Sequence, residues 1–138
     1  MFTRFAIAAS LAVASLLPLA ARADALEPCD LLTHPVVSVH LHKTAQHYGK
    51  ITVERVDGAS LFVQAAPGLT AEWLQRSLTA HLTKMKGASM VDCPLEAKDV
   101  RIDVRSGNTG YWVDIIAKDQ KQAEIVLERA QSLLHRAS

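Results

Sequence analysis

The chain is predicted to fold as an α+β domain: two ββα units forming one antiparallel sheet with both helices packed on one face, and an extra N-terminal edge strand. Three observations predict it. Apolar and polar residues alternate with a period of two in "VVSVHLH", "KITVERVDGASLFVQAA" and "DVRIDVRSGNTGYWVDIIAKD". Two amphipathic helical stretches each follow such strand pairs, and the strand-strand-helix order recurs after about 50 residues, with Gly58 set against Gly107 and Phe62 against Trp112.

The chain opens on a secretory leader. Arg4 precedes an apolar run from Phe5 to Ala20, and small residues offer cleavage after Ala23 or Ala25. Residues 1–23 are therefore expected to be removed, leaving residues 24–138 as a single compact domain without a membrane anchor. Losing Arg4 and Arg22 leaves 13 basic against 14 acidic residues after the first cut, and the second cut also removes Asp24. With no Lys/Arg cluster surviving, nucleic acid is not an expected partner.

An N-terminal arm, residues 24–49, comes first. Val37, Val39 and Leu41 alternate with Ser38, His40 and His42, the pattern of an edge strand, and Pro35 is tolerated at its start. The first ββα unit is expected over 50–87: a hairpin turning at Asp57-Gly58, a stop at Pro67-Gly68, then a helix with Thr70 as N-cap and an apolar stripe of Ala71, Leu74, Leu78, Leu82 and Met85. Lys86 and Gly87 are expected to end that helix, and His81 falls at the edge of its stripe. A linker spans 88–98. The second unit, 99–135, alternates Val100, Ile102 and Val104 with Arg101, Asp103 and Arg105, turns at "SGNTG", and returns through Tyr111, Val113 and Ile115. Its helix opens on a capping box, Asp119 with Gln122, and carries Ala123, Val126, Leu127, Ala130, Leu133 and Leu134 on one face.

The chain has two cysteines, Cys29 and Cys93. Export to an oxidising compartment makes their disulfide the expectation, closing a loop of about 64 residues and tying the arm to the domain.

Four of the six histidines lie between residues 34 and 47. On a strand, His40 and His42 project from one face about 6–7 Å apart, a spacing two imidazoles can use to grip Cu or Zn. His34 and His47 are weaker candidate ligands, as are His81 and Met85, an imidazole and a thioether four residues apart on one helix. No cofactor is required by any motif. Trp112 is expected to point outward beside Arg101, Asp103 and Arg105, where an exposed indole could anchor a protein contact. No nucleophile elbow, His-Glu-x-x-His pattern or phosphate-cradling loop occurs, so no catalytic residue is assigned.

The functional expectation is a periplasmic or secreted, non-catalytic interaction or accessory domain of a bacterial envelope, with an envelope protein as partner. A periplasmic Cu or Zn binding protein using the histidine-rich arm is the alternative, and a small periplasmic enzyme ranks third. The sequence sets no oligomeric state.

Overall fold

The computed structural model describes residues 29–85 and 93–136. The expected leader with both expected cleavage frames, residues 24–28 of the arm, the expected helix end at Lys86 and Gly87 and linker residues 88–92 lie outside the described residues.

Alternation becomes four strands and the helical stretches become two helices: β1 (Val36–Tyr48), β2 (Ile51–Gln64), α1 (Ala71–Lys84), β3 (Val100–Ser106), β4 (Gly110–Ala117) and α2 (Gln120–Arg136). Short 3-10 turns at Asp30–Thr33 and Pro94–Glu96 follow the two cysteines. The strands form one antiparallel sheet in the order β1-β2-β4-β3. Both helices cover one face of it. Leu61, Val63, Val113 and Ile115 from the sheet are fully buried with Leu74 and Leu78 of α1 and Val126 and Ala130 of α2. Each large aliphatic side chain placed there contributes about 1.5–3 kcal/mol of transfer free energy.

The first hairpin departs from expectation. Asp57-Gly58 is no turn; it lies inside the 14-residue strand β2. The chain reverses at Gly49-Lys50, between the paired residues Tyr48 and Ile51, and Gly49 adopts φ 62, a left-handed value that glycine takes without cost. β1 therefore runs on to Tyr48, and the expected extra edge strand is the sheet's edge strand itself. This register leaves Asp57 as an extra residue between the pairs His42–Gly58 and Lys43–Val56, a β-bulge. Gly58 is required for a different reason. A Cβ there would sit 1.9 Å from the Ile115 carbonyl oxygen, so β2 and β4 could not approach as they do.

The helix signals hold in part. Thr70 caps α1, its hydroxyl oxygen accepting from the Trp73 amide at 3.1 Å. Asp119 likewise accepts from the Gln122 amide at 2.9 Å, but the Gln122 side chain accepts from the Lys98 amide instead of closing the capping box. His81 is not at the rim of the α1 stripe. It is buried in the core, because the steps Leu74, Leu78, His81, Met85 follow the helix face that meets the sheet.

The two sheet edges are treated differently. Along β3, Gln75 of α1 donates to the Ile102 carbonyl at 3.0 Å and accepts from the Val104 amide at 2.8 Å, standing in for a neighbouring strand. β1 has β2 as its one partner among the described residues. β2 in turn pairs with β4 from Gly58 onward, so the outer half of the β1–β2 hairpin extends past the sheet as a two-stranded arm.

Candidate functional site

The face opposite the helices carries the side chains that alternate with the core. Cross-strand register aligns them in rows: Ser38, Phe62, Trp112 and Arg105; then His40, Ser60, Asp114 and Asp103; then His42, Gly58, Ile116 and Arg101. Trp112 is thus on the same face as Arg101, Asp103 and Arg105, as its alternation predicts. Tyr111 turns the other way, its hydroxyl donating to the Leu69 carbonyl at 2.6 Å.

Trp112 is the centre of an aromatic cluster. Its ring lies 4.9 Å from Phe62 and 5.6 Å from His40, both tilted, within the separation at which aromatic pairs attract beyond their buried area. Beneath it Asp114 is almost fully buried, yet its carboxylate is satisfied: Ser60 donates to Oδ1, while Arg105 reaches Oδ2 through Nε at 2.9 Å and Nη2 at 2.7 Å. Removing a carboxylate from water is tolerable here because a guanidinium and a hydroxyl replace its hydration. Asp103 remains exposed beside it.

A second polar constellation sits at the bulge. Asp57 Oδ1 faces His42 Nδ1 at 2.6 Å, and Thr44 donates to Oδ2. The carboxylate orients the imidazole through Nδ1, an arrangement common behind metal-ligating histidines. Sequence inspection missed Asp57 because its neighbour Gly58 made the pair read as a turn.

Beyond the bulge the same side of the arm becomes apolar. Tyr48 pairs with Ile51 and Gln46 with Val53, and Tyr48, Ile51 and Val53 are 63%, 65% and 47% exposed. Alternation places them on the side of Trp112 and His42. Arg55 lies between, donating to the Lys118 carbonyl at 3.4 Å.

The candidate histidine ligands occupy separate neighbourhoods. His34 meets Trp73 edge-on at 6.0 Å, His40 lies tilted against Trp112, His42 holds Asp57, and His47 Nδ1 contacts the Thr52 hydroxyl at 3.0 Å out on the arm. His40 and His42 share a face, as their spacing requires. Among the described residues, the one group of three His, Cys, Asp or Glu donors within 4.8 Å of one another is Cys29, His81 and Cys93. The two cysteines are joined as a disulfide with Cα atoms 5.8 Å apart, and His81 Nε2 lies 3.9 Å from Cys93 Sγ. Met85, one turn on from His81, is buried in the core cluster. Among the described residues no helix is long and apolar enough to cross a membrane.

No protein-family model matches the chain, and neither a curated protein nor a solved structure is significantly similar to it.

Proposed function

We propose that the chain is an exported, non-catalytic protein-interaction domain of a bacterial envelope, and that it binds its partner through the open sheet face and the projecting β1–β2 arm. One observation carries this reading: the Trp112, Phe62 and His40 cluster and the exposed Val53, Ile51 and Tyr48 lie on the same side of the sheet and its projecting hairpin, flanking the polar His42–Asp57 bulge. Exposed apolar side chains grouped as at the hairpin tip cost solubility unless something covers them, and an aromatic cluster with an arginine at its rim is a common make-up of an interface.

The supporting experiment places a photo-crosslinking amino acid at Ile51 in one variant and at Glu124, on the exposed side of α2, in another. Irradiation in the source cells is expected to give one discrete adduct from position 51 and none from position 124. Equal labelling from both, or no adduct from position 51, contradicts the reading. Export has its own check: the chain recovered from the envelope should begin at Asp24 or Leu26.

A second reading, transition-metal binding by the arm, is favoured by the His42–Asp57 contact, since an oriented imidazole beside His40 offers two nitrogens to a Cu or Zn ion. Titration of the arm with Cu2+ and Zn2+ separates the two readings. Binding tighter than about 10 µM that disappears in the His40→Ala/His42→Ala variant supports the metal.

A further inference from the structure

We infer that Cys29, Cys93 and His81 form a redox-gated metal site: closed while the cysteines are joined, and a Cys2His site for Zn2+ once they are reduced. It is distinct from the arm histidines.

The first observation is His81 itself. It stands in the row of Leu74, Leu78 and Met85, where an aliphatic residue would satisfy the core, and is only 4% exposed. Its Nε2 points to Cys93 Sγ at 3.9 Å, and sulfur is a weak hydrogen-bond partner. A polar ring aimed at two sulfurs in a dry core is poorly rewarded as packing, whereas two thiolates and an imidazole are a common donor set for zinc.

The second is that noncovalent contacts also hold the two cysteine segments. Leu31, just after Cys29, and Leu95, just after Cys93, are essentially fully buried. Arg129 of α2 donates to the Cys93 carbonyl at 3.2 Å and pairs with Glu96 at 3.0 Å. Cutting the sulfur bridge therefore leaves both thiols facing His81. With Cα atoms 5.8 Å apart, side-chain rotation can open the sulfurs to the roughly 3.8 Å that two thiolates span on tetrahedral zinc.

The chemistry balances with a dithiol reductant. The dithiol supplies two electrons and two protons, becomes a cyclic disulfide, and leaves Cys29 and Cys93 as thiols. Zn2+ then displaces those two protons, taking two Zn–S bonds, one Zn–N bond to His81 and a water molecule as the fourth tetrahedral ligand.

The test compares the full-length processed protein, oxidised or reduced with dithiothreitol and freed of reductant without air, during titration with Co2+ and then Zn2+. The reduced protein is expected to bind one Co2+ with a thiolate-to-cobalt charge-transfer band that Zn2+ abolishes, and the oxidised protein to give none. His81→Gln should weaken Zn2+ binding by at least about tenfold, while His40→Ala/His42→Ala keeps the full band. Circular dichroism of each sample reports folding. A reduced protein that stays folded without the band overturns the site, as does a His81→Gln protein that binds Zn2+ as tightly as the parent. Unfolding on reduction that Zn2+ does not reverse overturns it too.

Discussion

Asp57 reaches back across the first hairpin to His42, their Oδ1 and Nδ1 atoms 2.6 Å apart, at the point where β2 carries one residue more than β1. The bulge and the contact are one device: the extra residue turns a carboxylate toward β1, and the carboxylate in turn fixes an imidazole and a threonine. Replacing Asp57 by Ala is expected to cost about 1–2 kcal/mol, the contact being part-buried, read as a lower urea midpoint with unchanged slope. If the arm binds metal, the same variant should also lose about 10–100-fold in affinity, because His42 is no longer oriented.

Gly58 and Gly49 should respond oppositely to a side chain. Gly58→Ala forces a methyl against the Ile115 carbonyl and is expected to cost about 1–3 kcal/mol or more. Gly49 has open space around it, so Gly49→Asn, a residue that tolerates positive φ, should cost only a few tenths of a kcal/mol. Thermal unfolding of the two variants checks the contrast; comparable losses would contradict the close approach of β2 to β4 at Gly58.

Gln75 should matter out of proportion to its exposure. Gln75→Leu strips the β3 edge of its side-chain partner, and the Val104 amide is expected to lose hydrogen-exchange protection while the paired Arg105 amide keeps it. Increased association at high concentration is the accompanying expectation. Unchanged exchange at Val104 would show that the edge is protected by other means.

The second unit was the more readable half of the chain. In β3 and β4 the alternation is strict and the turn signal is unambiguous, so the outward Trp112 and inward Tyr111 followed directly. Asp57-Gly58 misled because a hairpin turn and a bulge both use a small residue beside an acidic one, and the deciding contact comes from Ile115, far along the chain. His81 misled for a rotational reason: a turn of one residue's width decides whether position 81 or 82 faces the core, and neighbouring elements set that angle. The burial of Asp114 has no local sign either, because the Ser60 and Arg105 side chains that satisfy it come from neighbouring strands.

The disulfide is expected to stabilise the domain substantially. Replacing Cys29 and Cys93 by Ala should cost roughly 2–5 kcal/mol, since the bridge closes a loop of 64 residues of sequence separation. Differential scanning calorimetry measures it, and non-reducing mass spectrometry should find the untreated chain two hydrogens lighter than its reduced form.

The most direct test of the interaction face combines Trp112→Ala with the crosslinker at Ile51. The prediction is that adduct yield falls at least about tenfold while circular dichroism shows the variant still folded at the crosslinking temperature, with an unfolding midpoint lowered by the lost contacts to Phe62 and His40, because a central indole contributes on the order of 2 kcal/mol to such an interface. An adduct formed in full yield without Trp112 would contradict the proposed face.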